Sequence, residues 1–232
     1  MKQWQRYLAE FFGTFTLVFT GATAIVGFGP SAAPFAFGLG LLAGLYAFGE
    51  ISGGHFNPIV SLGAFLDRRI GLDEMLRYWI FQFAGGILGA LALLLMTSSN
   101  AVAKAATVPT GGDRAAFFAE LFFSAIFVVV ILAVTKSQSY GATTFVAIAL
   151  TLMAIHFAAV PFSGSSVNPA RSFATALVGT EWNGFWIYVT APPLGAILGW
   201  AVYTVVARGR TDLKADLGRV RDDMRGGPAA GA

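Results

Sequence analysis

Long apolar runs alternate with short polar breaks along the whole chain, and their lengths match a bilayer rather than a globular core. Six runs, at roughly 8–28, 32–51, 73–97, 115–135, 141–161 and 184–208, reach the ~20 residues that a crossing helix needs. Two further apolar stretches lie between spans two and three, from Asn57 to Leu66, and between spans five and six, from Asn168 to Val178. Each is too short to cross alone. Each opens with Asn-Pro, a helix-start signal, because asparagine caps free backbone N–H groups and proline at the first helical position has no N–H to lose. Matched half-length segments in corresponding places predict two re-entrant half-helices meeting at mid-membrane. The bland alternative is that Asn-Pro starts two buried helices with no pore between them; capping alone, however, needs no matched pair.

The halves repeat. Ala9-Glu10 recurs as Ala119-Glu120, and Gly85, Ile87, Leu88 and Gly89 recur as Gly195, Ile197, Leu198 and Gly199, both at an offset of 110. Asn57-Pro58 recurs as Asn168-Pro169 at an offset of 111. Three spans per repeat force the second copy to insert upside down. The expected fold is an all-α membrane protein: six transmembrane helices plus two re-entrant half-helices in an inverted repeat. It forms one domain over residues 1–208, with repeats at about 7–97 and 115–208, followed by a polar tail at 209–232 expected to fray. With the N-terminus in the cytoplasm, 12 of the 15 Lys and Arg residues fall on that side and Lys104, Arg114 and Arg171 on the other, so both termini are expected inside.

Composition agrees with a bilayer. Only 12% of residues are charged, against about 25% in soluble domains, and the mean hydropathy is +0.69. The net charge of +3 is scattered between spans, so it reads as a topology signal and not as a nucleic-acid surface. The first run, following Lys2 and Arg6, is too long for a signal-peptide core and is expected to stay as the first helix. No cysteine is present, which excludes thiol and cysteine–metal chemistry. Two histidines and no clustered carboxylates give no nucleophile–base pair and no metal site, so neither enzyme activity nor a cofactor is expected.

Ser52-Gly53-Gly54-His55-Phe56-Asn57-Pro58 and Ser166-Val167-Asn168-Pro169-Ala170-Arg171-Ser172 resemble the paired signature loops of aquaporins. Ala9-Glu10-Phe11-Phe12-Gly13-Thr14 resembles the family's first-helix motif, and Gln82 its third-helix glutamine. The resemblance covers about residues 7 to 208. It implies a homotetramer of passive water channels in the plasma (inner) membrane, with water as permeant and the lipid bilayer as surroundings. It also implies a central constriction of Asn57, Pro58, Ile59, Asn168, Pro169 and Ala170. A second filter near the outer mouth would have Phe37 and His156 as opposite walls, Arg171 as fixed charge, and Ser165 as a small side chain with an exposed carbonyl. Glycerol-passing relatives place a small residue at His156 and an aspartate at Ser172; neither change is present.

Physical chemistry supports the central part independently. Two half-helix N-termini aim positive dipole ends at one point. If each asparagine caps with its oxygen, its amide N–H groups remain to donate into the lumen. A water there offers its oxygen to two donors, and the dipoles repel cations. Phe37 is one of 22 phenylalanines, so its role rests on the resemblance alone, whereas a histidine and an arginine within apolar surroundings usually line a cavity. Glu10 and Glu120 are either proton relays or, as in the family, acceptors for the backbone N–H groups of the re-entrant loops.

Three positions depart from the family pattern. Ile59 stands where alanine is usual, and its bulk is expected to shift or narrow the junction of the half-helices. Glu50 stands where relatives have histidine; with His55 it is a candidate for the cytoplasmic vestibule, or else a solvated acid at a helix end. Val189 replaces an aromatic residue common in water-selective relatives. The alternatives left open are a facilitator of small neutral solutes such as glycerol, a structural membrane protein with a closed pore, and an ion-coupled transporter, for which the midplane offers only asparagines.

Overall fold

The computed structural model describes residues 2–136 and 142–224, with side chains placed for 2–136 and 143–206. Among the described residues the structure is helical: α1 Gln3–Phe28, α2 Pro30–Ser52, α3 Pro58–Leu66, α4 Leu72–Met96, α5 Ser99–Ala103, α6 Asp113–Val134, α7 Ala142–Ser163, α8 Pro169–Gly179 and α9 Phe185–Met224. Six of these, α1, α2, α4, α6, α7 and the Phe185–Val206 part of α9, are long and apolar enough to cross a membrane. Their outward faces carry large apolar side chains such as Phe12, Leu39, Ile80, Phe122, Leu150 and Ile197, as lipid-facing helices must.

Glycines set how closely the spans approach. A Cβ on Gly85 or Gly89 of α4 would collide with the carbonyls of Phe11 or Phe15 on α1, and one on Gly195 or Gly199 of α9 with those of Leu121 or Ala125 on α6. These contacts are repeat-equivalent, so each half uses small residues spaced by four to press its first and third spans backbone to backbone. Within α2, the stretch Leu45–Gly49 forms a π-helical turn. Gly53 and Gly54 follow, with φ of +97° and +67°, and turn the chain from the end of α2 into the first re-entrant loop.

The half-helices α3 and α8 start at Asn57 and Asn168 and enter from opposite ends of the bundle. Asn57 Oδ1 accepts from Ile59 N, and Asn168 Oδ1 accepts from Ala170 N and Arg171 N, the capping that the Asn-Pro pairs predict. At the far end of α3, Arg69 donates through Nε to Asp67 (2.8 Å), through Nη2 to the Leu132 carbonyl (2.8 Å) and through Nη1 to Thr135. That fork ties the loop after α3 to the C-terminal turn of α6.

Helical backbone continues from α9 to Met224, through part of the stretch expected to fray. The last residues of the expected tail, 225–232, lie outside the described residues.

Candidate functional site: a polar slot between two half-helices

The two loops are built alike around buried acids. Glu10 Oε1 accepts from Ser52 Oγ (2.6 Å) and His55 N (3.0 Å), and Oε2 accepts from Phe56 N and Gln82 Nε2 (both 2.7 Å). Glu120 Oε1 accepts from Ser163 Oγ (2.7 Å) and Ser166 N (2.8 Å), and Oε2 from Val167 N (2.7 Å). Tyr78 and Tyr188 donate their hydroxyls to the Ser52 and Ser163 carbonyls. Loop N–H groups that would otherwise stand bare at membrane depth are thereby satisfied. Both carboxylates are fully enclosed and lie outside the residues that line the slot.

The residues before the asparagines carry strain. Phe56 and Val167 have φ of +49° and +45°, a left-handed conformation that is an outlier for a β-branched or bulky side chain. The strained geometry is held on one side by the glutamates. On the other side it aims each carbonyl across the molecular midplane. Asn57 Nδ2 donates to the Val167 carbonyl (2.7 Å), and Asn168 Nδ2 donates to the Phe56 carbonyl (3.0 Å). The sequence led us to expect amide N–H groups left free for the lumen, and they are not wholly free. Each spends one of its two N–H donors on the opposite loop and keeps the other. These crossed bonds bolt the two half-helix tips together, and Asn57 and Asn168 both line one slot.

The slot is narrow, leaving about 20 Å³ for the centres of water molecules, on the order of one such sphere. Its apolar lining comes from spans, including Phe127, Ile131, Ile148 and Leu152; its polar lining comes from Asn57, Asn168, His55, Ser166, His156 and Arg171. Toward the end of α3 it shares Gly53, His55, Val60, Ile131 and Thr135 with a wider cavity of about 110 Å³ that also meets Arg6 and Arg69. His55 Nδ1 lies 3.0 Å from Ser61 Oγ.

Phe37, His156 and Arg171 come together toward the other end. The Phe37 and His156 rings meet edge to face at 4.9 Å between centroids, and the Arg171 guanidinium lies 4.8 Å from the Phe37 centroid. Phe37 thus touches both of the others, His156 edge to face and Arg171 through its ring face, and all three line the slot. Arg171, 1% exposed, donates Nη1 to the Ala105 carbonyl (3.0 Å), while its Nε has no partner among the described residues. Ser165 is buried behind this cluster and outside the slot lining; its hydroxyl pairs with His156 Nδ1 at 2.7 Å. That contact orients the imidazole from behind.

Several expected lining residues lie elsewhere. Pro58, Ile59, Pro169 and Ala170 are buried in the packing of the half-helices and do not reach the slot. Successive helical residues turn by about 100°, so a residue one or two positions beyond the cap faces a neighbouring span. A Cβ on Gly86 of α4 would meet the Ala170 carbonyl. Ile59 is fully buried, so its bulk meets the packing around α3 and not the slot itself. Val189 is exposed on the outside of α9 and touches neither cavity.

Glu50 is exposed and lines neither cavity, whereas His55 lines both. Glu50→Gln should leave vesicle water flux and its pH profile unchanged; an altered profile measured between pH 5 and 8 would show that the carboxylate reaches the inner mouth.

The crossed amides, the strained Phe56 and Val167 and the Ser165–His156 pair could not be read from residue types. Neither phenylalanine nor valine advertises a positive φ; the repeat offset is the one signal that places these two residues in equivalent positions.

Six spans and two capped half-helices around a polar slot define a membrane channel fold. Residues 1–203 match the family model of the major intrinsic protein, and the chain belongs to that family, whose members are channels and not enzymes. It is 40% identical over 206 residues to the glycerol uptake facilitator protein-like 6 of Lactiplantibacillus plantarum, covering 84% of this chain and 94% of that one. It is 34% identical over 224 residues to aquaporin Z of Photorhabdus laumondii, covering 87% and 97%. The X-ray structure of the aquaglyceroporin from Plasmodium falciparum superposes with a TM-score of 0.81 at 21% identity, over 91% of this chain and all of that chain, a likeness of fold.

Proposed function

We propose that this channel conducts single-file water and excludes protons, ions and glycerol. The observation that carries this reading is the cluster of Phe37, His156 and Arg171 packed around one end of the slot. A bulky ring pair leaves little width for a carbon backbone, while Arg171, which lines the slot, sets a fixed positive charge beside the permeant. Midway, the remaining N–H of each amide and the facing ends of α3 and α8 orient a water by its oxygen and oppose positive charge. Support for the same reading comes from the likeness to aquaporin Z.

The relative named as a glycerol uptake facilitator-like protein favours a second reading, passage of glycerol. Water and glycerol permeabilities measured in the same proteoliposomes separate the two. Fast water with glycerol at the level of empty vesicles supports the water channel; comparable rates for both support the facilitator.

The working assembly on this reading is a homotetramer in the plasma membrane, as the family resemblance implies, with both termini cytoplasmic, an orientation supported by the distribution of Lys and Arg. Arg171 supplies fixed positive charge at the constriction. Arg171→Val should keep water flux within about twofold while raising proton or cation leak roughly tenfold. An unchanged leak in pH-jump and ion-flux assays would assign the exclusion to the central asparagines and helix ends alone.

A further inference from the structure

The two loops share one plan except at one point, and the exception lies beside the constriction. In the first repeat Gln82 of α4 reaches in to hold Ser61, donating at 2.9 Å, and Ser61 in turn meets His55. The repeat-equivalent positions are Pro192, Ser172 and Ser166. Proline has no side-chain donor, so the second repeat lacks its counterpart of Gln82. Its place is taken by Thr107, from the segment that joins the repeats. Thr107 donates to Ser172 Oγ at 2.7 Å, and Ser172 pairs in turn with Ser166. Ser166 Oγ donates to the Asn168 carbonyl and accepts from Asn168 N. All three hydroxyls are buried. Two residues before Thr107, the Ala105 carbonyl accepts from Arg171. Farther on, Thr110 donates to the Val160 carbonyl and Gly111 N to the Phe162 carbonyl, so the segment is pinned to the end of α7 as well.

We infer that Thr107 is a positioning residue for the outer constriction: its hydroxyl locks the joining segment onto the second loop, and the locked segment presents the Ala105 carbonyl that holds Arg171 in place. This rests on the water-channel reading above. The segment then sets selectivity without touching the permeant. Among the described residues the guanidinium of Arg171 has one hydrogen-bond acceptor, the Ala105 carbonyl, and a segment released at Thr107 no longer fixes that acceptor. The guanidinium gains freedom, and the width of the opening with it.

The test uses the full chain in proteoliposomes, with water and glycerol permeabilities and the unfolding midpoint in detergent measured for each variant. Thr107→Val, which keeps the side-chain shape and removes the hydroxyl, should raise the glycerol-to-water ratio about fivefold, the scale set by one buried hydrogen bond. Thr107→Ser should restore the wild-type ratio. Ser172→Ala breaks the same chain at its next link and should raise the ratio alike, and the double variant should exceed neither single one, as members of one network do. A ratio unmoved in folded Thr107→Val, with only the midpoint lowered, assigns Thr107 a purely structural role and overturns the proposal. So does a ratio that Thr107→Ser fails to restore, or effects of Thr107→Val and Ser172→Ala that multiply. Wild-type vesicles that shrink no faster than empty ones would instead overturn the water-channel reading itself.

Discussion

His156→Gly combined with Phe37→Trp should open the channel to glycerol, raising its permeability roughly tenfold or more, the gain from lowering a barrier by about 1.4 kcal/mol. His156 fills the space between Phe37 and Ser165, touching the first at 4.9 Å between ring centroids and the second at 2.7 Å. Its removal deletes the side chain that closes this end of the slot and frees the Ser165 hydroxyl for a solute hydroxyl. Tryptophan at 37 keeps a flat apolar wall for carbon atoms and a face for Arg171. Phe37 already lies against Gly21, where a Cβ would collide with the ring, so the larger indole has to grow toward the vacated imidazole and not into α1. Glycerol-driven reswelling of proteoliposomes measures the change. Unchanged exclusion of glycerol in a variant that still passes water would place the narrow point elsewhere in the slot.

The second large effect concerns stability. Glu120→Ala should abolish the folded second loop, because three donors, Ser163 Oγ, Ser166 N and Val167 N, lose their acceptor together. A hydrogen bond to a charged group contributes ~1.5–3 kcal/mol, and a buried donor left bare costs a comparable amount. Releasing Val167 from φ +45° returns only on the order of 1–3 kcal/mol of strain. The net loss is still a large part of the ~5–15 kcal/mol that holds an ordinary domain folded. The variant should fail to accumulate, or unfold in detergent at least roughly 10 °C below the wild type. A midpoint within about 2 °C of wild type would mean that water or another group replaces the carboxylate, and that the glutamate is not the loop's anchor.

The parts of this molecule that the sequence announces are those governed by composition and by caps. Six spans follow from apolar length, and the half-helices from Asn57-Pro58 and Asn168-Pro169, where cap and first-turn chemistry leave little choice. The glycine pairs at 85/89 and 195/199 declare the tight α1–α4 and α6–α9 contacts because no larger residue fits there. What stayed hidden depends on the direction in which a group points. The left-handed Phe56 and Val167 are imposed by Glu10 and Glu120 from other helices, so local propensity carries no trace of them. Asn57 and Asn168 were legible as donors, but the partner of each, a carbonyl in the opposite repeat, belongs to the assembled tertiary structure.

Ile59 and Glu50 show the opposite failing. Both stand out as departures from a pattern, yet one is buried away from the slot and the other is exposed outside both cavities. Unusual residue type did not predict contact with the permeation path. Thr107 is ordinary in type and lies in a joining segment, and its significance follows only from the missing side-chain donor at Pro192.

Simultaneous recording of vesicle volume and internal pH, with the purified chain reconstituted and exposed to an impermeant osmolyte, tests the central claim most directly. Crossed amide donors at the midplane and a ringed arginine at one mouth predict shrinkage many times faster than in empty vesicles, with proton leak no greater than theirs. Shrinkage at the rate of bare lipid, or water flow accompanied by a matching proton current, would contradict it.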